Sequence, residues 1–175
     1  MLCVLKCVVT QPTRIAALSI ADRVCRERQC HLGSVVGVNV GMYKKKSYDT
    51  RLTYCTTGAL LRKLVSAKHM MDFTHVILDE VHERNYEMDF LLLFVRILLR
   101  SNSRQVKVIL MSATFDVDKF SNYFSVPTET MLVSAPVITI GRKSNFKVQI
   151  QFLDELKSLG SVSKTFCKDF PILFV

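Results

Sequence analysis

The chain has 175 residues, 49% of them hydrophobic, so it is the size of one domain and has enough apolar residues for a sizeable core. This composition excludes an intrinsically disordered chain. The net charge of +9 favours a polyanionic partner, with nucleic acid ahead of an acidic membrane surface.

Short apolar runs alternate with longer segments of helical periodicity along the chain. The runs typical of buried strands occupy residues 4–9, 35–40, 52–55, 75–78 and 106–111. The segments that predict helices occupy residues 14–28, 58–67, 87–99 and 117–124, the last with Asp116 as its N-cap. This alternation predicts an α/β fold in which helices cover a parallel sheet.

The segments outside these elements are more polar or less regular. Residues 42–51, which include Lys44, Lys45 and Lys46, predict an exposed basic loop, with a solvated turn favoured over a ligand contact. Beyond Pro127 the pattern weakens. Residues 131–140 predict one more strand, residues 146–152 an edge strand, and residues 158–175 show no readable organisation.

The six cysteines form no Cys-x-x-Cys pair, and most lie within apolar runs. We therefore expect neither a zinc site nor a disulfide framework, but thiols in a reducing compartment. The N-terminus lacks the layout of a signal peptide, and the longest apolar segment is interrupted by Asp89 and Arg96. These features predict a soluble protein inside the cell.

The most informative residues are two adjacent acids, Asp79 and Glu80, at the end of an apolar strand. In open α/β sheets, ligands bind at the carboxyl ends of the strands. One carboxylate there can hold a hydrated Mg²⁺ beside nucleotide phosphates, and the other can orient or deprotonate a water. The alternative is an acidic pair that only begins a loop. A zinc-protease site is excluded, because Tyr86 stands where such a helix needs a second histidine.

The hexapeptide Asp-Glu-Val-His-Glu-Arg at residues 79–84 resembles motif II of the DEAH-box helicases of superfamily 2, with Val81 in place of the usual alanine. Residues 111–114 resemble motif III of that family, residues 10–17 its motif Ia and residues 56–62 its motif Ib. The valine, Thr57 where most relatives carry aspartate, and residues 87–92 and 101–104 resemble the spindle-E type. These are germline helicases of the piRNA pathway that also carry a Tudor domain, which is not present among these residues.

The resemblance implies a RecA-like fold, the cofactors ATP and Mg²⁺, and a role for each acid. Asp79 would anchor Mg²⁺ through water, Glu80 would act as the base that activates the attacking water, and both would contact the nucleotide. His82 would sense the γ-phosphate and the partner domain. Ser112 and Thr114 would couple hydrolysis to movement of the nucleic acid strand.

The resemblance also implies contacts with the backbone of single-stranded RNA. The residues that would make them are Thr10, Gln11, Arg14, Thr57, Gly58 and Arg62. Helix N-termini with hydroxyls and amides suit phosphates, and arginines there fix position without reading bases. Thr13 stands where relatives show a second arginine, which would remove one phosphate contact. The implied partners are RNA, a second RecA-like domain and piRNA-pathway proteins, with no membrane.

No Gly-x-x-x-x-Gly-Lys-Ser/Thr loop occurs in the sequence, so we expect this polypeptide alone to bind ATP poorly. Residues 1–140 are predicted to be a first RecA-like domain without that loop. Residues 141–175 are predicted to begin an inter-domain connection or to be a non-native tail. The leading hypothesis is part of a cytoplasmic ATP-dependent RNA helicase. The alternatives are an inactive RNA- or protein-binding module of helicase descent and a DNA helicase.

Overall fold

The computed structural model describes residues 5–113, 117–127 and 131–140. The chain divides into two compact units, Met1–Val137 and Ile138–Val175, and every helix and strand described below lies in the first. The predicted division at residue 140 stays a prediction. The predicted cap Asp116, the strand at 146–152 and the segment 158–175 lie outside the described residues.

Six strands form the main sheet, in the order β3-β2-β4-β1-β5-β6. They are β1 Cys7–Gln11, β2 Val36–Val40, β3 Tyr43–Lys45, β4 Leu52–Thr56, β5 His75–Leu78 and β6 Lys107–Leu110. All neighbouring pairs are parallel except β2 with β3. The five apolar runs of the sequence thus form the parallel strands, which confirms the α/β prediction and gives a mostly parallel sheet.

Four helices accompany the sheet: α1 Arg14–Glu27, α2 Thr57–Ala67, α3 Tyr86–Arg100 and α4 Val117–Tyr123. Helices α2 and α3 pack against one face of the sheet in a core that includes Val8, Leu60 and Leu91. Helix α1 packs against the other face, where Val9 and Ala17 lie in a second core. Successive residues of β1 therefore point into different cores, as the period of a strand requires.

Two helices have an N-cap residue whose side chain accepts a hydrogen bond from a backbone amide of the first turn. Thr13 caps α1, with its hydroxyl 3.1 Å from the amide nitrogen of Ala16. Asn85 caps α3, with its side-chain oxygen 2.9 Å from the amide nitrogen of Met88. Such caps satisfy amides that have no partner within the helix. The threonine at position 13 therefore has a structural role.

Two predictions about regular structure were wrong. Residues 42–51 contain the short strand β3, whose three residues are exposed and pair only with β2, so no apolar pattern marks it. The strand predicted at residues 131–140 is reduced to β8, Leu132–Val133, which pairs antiparallel with β7, Val126–Pro127. Both residues of β8 are exposed, so its apolar composition does not reflect burial in the sheet. In the part of the chain that the structure describes, no helix is both long and apolar enough to cross a membrane.

Candidate active site

The carboxyl ends of four parallel strands bring the predicted site residues to one edge of the sheet. Strand β1 ends at Gln11, β5 is followed by Asp79, and β6 is followed by Met111. Strand β4 runs directly into α2 at Thr57. The acidic pair and the Ser112 segment are neighbours here, because β5 and β6 pair in register from their first residue to their last.

Asp79 is held by hydrogen bonds from both sides. The Nε2 amide of Gln11 donates to its Oδ2 at 2.7 Å, and the backbone amide of Glu80 donates to its Oδ1 at 2.9 Å. Its own amide donates to the hydroxyl of Thr10 at 3.3 Å. Each carboxylate oxygen keeps acceptor capacity beyond its one bond. The carboxylate is thus fixed in orientation and suits a hard, hydrated cation such as Mg²⁺.

The side chains of Thr10 and Gln11 are buried, with exposed fractions of 0% and 3%. Contacts with the RNA backbone were predicted for both residues, and this stays a prediction; in the structure both side chains form hydrogen bonds with Asp79. The parallel register pairs Thr10 with Leu78, so the next residues, Gln11 and Asp79, stand opposite each other. That register, and not the local sequence, is the signal that identifies Gln11 as the partner of the acid.

Glu80 adopts the left-handed backbone conformation, with φ 55° and ψ 39°. For a residue with a side chain this costs about 1–2 kcal/mol, and such residues cluster at functional sites. The conformation is held in place by the next residue, because the amide of Val81 donates to the carbonyl oxygen of Met111 at 3.1 Å. The chain therefore turns sharply between the acidic pair and a 3-10 turn at Val81–Glu83.

His82 connects the acidic pair to the segment after β6. Its Nδ1 lies 3.4 Å from Oε2 of Glu80, 3.5 Å from the hydroxyl of Ser112 and 3.4 Å from the backbone amide of Ala113. The amide needs an unprotonated Nδ1, whereas a hydrogen bond to the carboxylate needs a proton there. The two contacts therefore compete for one ring nitrogen. Thr114, the remaining predicted residue of this group, lies outside the described residues.

The predicted RNA-contacting residues fall into two groups. Arg14 and Arg62 are exposed, and the guanidinium of Arg14 approaches Gly41 in the turn between β2 and β3. Thr57 is buried, and its hydroxyl donates to the backbone carbonyl of Gln11 at 3.4 Å; its predicted contact with RNA stays a prediction.

Gly58 is buried under the carboxylate of Glu87 from helix α3. A Cβ at Gly58 would lie 2.7 Å from the Cδ of Glu87. The start of α2 therefore already faces a negative charge, which no local sequence pattern indicates. Among the described residues, no group of three or more His, Cys, Asp or Glu side chains is arranged to hold a metal ion directly.

Residues 3–122 match the family model of the DEAD/DEAH box helicase. The chain belongs to the DEAD/DEAH box helicase family. It is 53% identical over 152 residues to the probable ATP-dependent RNA helicase spindle-E of Culex quinquefasciatus and 52% identical over 152 residues to the ATP-dependent RNA helicase TDRD9 of Homo sapiens. Each comparison covers 87% of this chain but only 11% of the relative. The mostly parallel sheet with helices on both faces is the RecA-like fold that the motifs imply.

Proposed function

We propose that this chain is part of the motor domain of an ATP-dependent RNA helicase, which couples ATP hydrolysis to translocation on RNA or remodelling of RNA. The observation that carries the proposal is the continuous series of contacts from Gln11 through Asp79, Glu80 and His82 to Ser112 at one sheet edge. A loop that merely followed a core strand would not need a buried amide aimed at its first acid. The relatives' names, ATP-dependent RNA helicase, agree with this function.

In this proposal each acid has one task. Asp79 holds Mg²⁺ through a water, and the metal when bound neutralises charge that develops on the nucleotide phosphates. Glu80 orients the attacking water and accepts its proton. Gln11 prevents Asp79 from rotating, so it acts as a positioning residue.

His82 is the residue that we propose transmits the state of the site. Its Nδ1 lies 3.4 Å from both the carboxylate of Glu80 and the backbone amide of Ala113, and it can form a hydrogen bond with only one of them at a time. A change in charge at Glu80 would alter which contact forms, and the segment containing Ser112 and Thr114 would move with it.

We propose that RNA is held along the same edge through its backbone. Arg14 and Arg62 supply exposed positive charge, and the start of α1 supplies backbone amides. Thr10, Gln11 and Thr57 would support this edge from inside the protein, because their side chains are buried. Gly58 would contribute backbone only. Such binding tolerates any sequence and weakens as salt rises.

The resemblance to the spindle-E type extends the proposal to biology. We propose action in germline piRNA-mediated silencing in the cytoplasm, with piRNA-pathway proteins and a second RecA-like domain as partners. The same resemblance is the support for these finer assignments.

The test is Glu80→Gln in the full-length protein, with Glu83→Gln as the matched control on the exposed side of the same turn. Loss of the base should lower RNA-stimulated ATP hydrolysis by about 100-fold or more, the usual contribution of general base catalysis. Binding of Mg²⁺ and a non-hydrolysable ATP analogue should persist, because Asp79 remains. Near-normal hydrolysis in Glu80→Gln would refute the assignment.

Two further measurements separate the alternatives. If DNA stimulates ATP hydrolysis by the wild-type protein as strongly as RNA does, the DNA helicase is favoured. If the protein binds RNA but shows no ATP hydrolysis above that of Glu80→Gln, the inactive binding module is favoured.

A further inference from the structure

The amino edge of the sheet, opposite the acidic pair, contains a basic cavity that the proposed motor function does not use. The cavity has a volume of about 250 Å³ and is lined by Lys6, Lys46, Arg51 and Lys63, together with the aromatic rings of Tyr48 and Phe73. Cys7, the first residue of β1, also lines it, whereas Gln11 at the other end of that strand holds Asp79. At about 3.3 Å per residue, the two edges are about 13 Å apart along β1.

Parallel pairing brings the cations of the cavity together. The amide of Cys7 donates to the carbonyl of Arg51 at 2.7 Å, and the amide of Thr74 donates to the carbonyl of Lys6 at 2.8 Å. Lys6 and Arg51 therefore immediately precede adjacent strands. Lys46 comes from the segment after β3, at the same edge, because β3 runs antiparallel to β2. Three separate segments thus deliver positive charge to one opening: Lys6 before β1, the connection between β3 and β4 that contains Lys46 and Arg51, and helix α2 with Lys63.

The positive charge of this cavity is largely unneutralised. Asp72, the one carboxylate among the described residues that line the cavity, is paired with Lys63 at 2.7 Å. Across residues 5–113, 117–127 and 131–140, Lys6, Lys46 and Arg51 make no ion pair. Burial, and then the nearby charges of Lys44, Lys63 and Lys6, lower the pKa of Lys46. Like charges held this close favour an anion between them.

The aromatic residues indicate which anion suits the cavity. Tyr48 is 89% exposed, so its ring is available to stack on a planar group, and the ammonium of Lys6 lies 6.0 Å from its centroid. Exposed aromatic rings beside lysines are the usual means of binding single-stranded nucleic acid without reading its sequence. A phosphorylated peptide would use the lysines but not the ring.

We propose that this cavity is a second contact site for single-stranded RNA, in which Lys46 and Arg51 bind backbone phosphate and Tyr48 stacks on a base. The choice of RNA as ligand rests on the proposed function, but the site is separate from the carboxyl edge, where Arg14 lies. An RNA that reaches both edges would pass β3, which is the terminal strand of the sheet among the described residues and where Lys44 and Lys45 are exposed.

The experiment measures the binding of a long fluorescent oligouridine to the full-length protein at several salt concentrations. The pocket variant is Lys46→Gln with Arg51→Gln. Its matched control is Lys68→Gln with Lys107→Gln, which removes the same charge from two exposed positions outside the cavity. The pocket variant should lower the slope of log affinity against log salt by about 1.4, at about 0.7 for each phosphate contact with a single strand. The control should leave the slope unchanged.

Tyr48→Ala provides the second arm, since so exposed a ring can be removed without disturbing the fold. It should weaken oligouridine binding by about tenfold, the effect of losing one stacked base, while leaving the salt slope unchanged. Photo-crosslinked oligouridine should map to a peptide containing Tyr48 or Phe73.

Three results would overturn the inference. If the pocket variant and Tyr48→Ala bind oligouridine normally while Arg14→Ala binds it weakly, the second site is excluded and the proposed function survives. If the pocket variant loses binding of a phosphoserine peptide but not of oligouridine, the ligand is a phosphoprotein. If neither Arg14→Ala nor the pocket variant alters RNA binding, the proposed RNA edge fails as well.

Discussion

At the carboxyl edge of the sheet, charged side chains are tied to their neighbours by hydrogen bonds, whereas at the amino edge lysines surround an open cavity with little pairing. Asp79 accepts bonds from Gln11 and from the amide of Glu80, and Glu80 itself holds a left-handed backbone. Lys6 and Lys46, by contrast, are exposed and make no ion pair among the described residues.

The difference indicates what each edge is suited to do. Catalytic groups must be held near their productive geometry, and supporting hydrogen bonds supply that rigidity at the carboxyl edge. Backbone phosphates are bound mainly by charge, which tolerates flexible lysines. One sheet thus combines a fixed edge and an adaptable edge, and substitutions can alter each of them separately.

The largest effect is expected from Gln11→Glu, which would introduce repulsion into the fixed edge. The substitution keeps the shape of the side chain but replaces the donor at 2.7 Å from Asp79 with a second carboxylate. Two adjacent carboxylates cannot both ionise easily, so Asp79 would turn away or become protonated. ATP hydrolysis by the full-length protein should fall about 100-fold, at the upper end for a residue that supports a metal ligand.

The pH profile distinguishes positioning from general damage. In Gln11→Glu, protonation of the introduced carboxylate restores a donor towards Asp79, so the activity of the variant relative to wild type should rise as pH falls. Gln105→Glu, in an exposed turn, is the matched control and should behave as wild type. Normal hydrolysis in Gln11→Glu would show that the bond to Asp79 has no functional role.

The second prediction tests whether the apolar core between the two edges of the sheet excludes water. Cys55, the next-to-last residue of β4, is buried, and this burial raises the pKa of its thiol from 9.0 to about 12. The unfolded chain therefore loses this proton at lower pH than the folded chain, so stability is full below pH 9 and falls as pH rises towards 12. By about pH 10.5 the loss should be about 2 kcal/mol.

The measurement is urea unfolding at about pH 8 and about pH 10.5 for wild type and Cys55→Ala. The variant will be less stable at both pH values because it leaves a cavity, but it should lack about 2 kcal/mol of the further loss on raising the pH. Equal losses of stability in the two proteins would mean that water reaches Cys55 and that the apolar core between the edges is not dry.

Much of the sheet could be predicted because strands β1, β2, β4 and β5 are buried or half-buried on both faces. Residues 75–78 and 52–55 are continuous apolar runs, and the observed strands begin at the predicted residues. Strand β3 could not be predicted, because both of its faces contact water and its lysines resemble a loop. Burial, not regular structure itself, is what the sequence pattern records.

The site residues also divide into those that the local sequence predicts and those that depend on distant segments. Asp79 and Glu80 could be predicted because adjacent acids after an apolar run are visible locally. The role of Gln11 could not, because its partner is 68 residues away and depends on β1 and β5 being neighbours. Lys46 was interpreted as part of a solvated turn for the same reason, since the cavity it lines is assembled from distant segments.

The smallest expected effect concerns Gly58, a predicted phosphate-binding residue at the carboxyl edge that lies against the carboxylate of Glu87. In Gly58→Ala the new methyl group would lie 2.7 Å from the Cδ of Glu87, so the Glu87 side chain must move. Because that side chain is flexible, we expect a cost of only about 1 kcal/mol in urea unfolding, at the low end for overpacking.

In a Glu87→Ala background the same substitution should cost nothing, because the conflicting group is absent. Neighbouring residues in contact are expected to be non-additive in this way. Removing Glu87 should also strengthen oligouridine binding slightly, because a negative charge leaves the start of α2. Equal costs of Gly58→Ala in both backgrounds would show that Glu87 does not restrain this residue, and the carboxyl edge would then be less fixed than we infer.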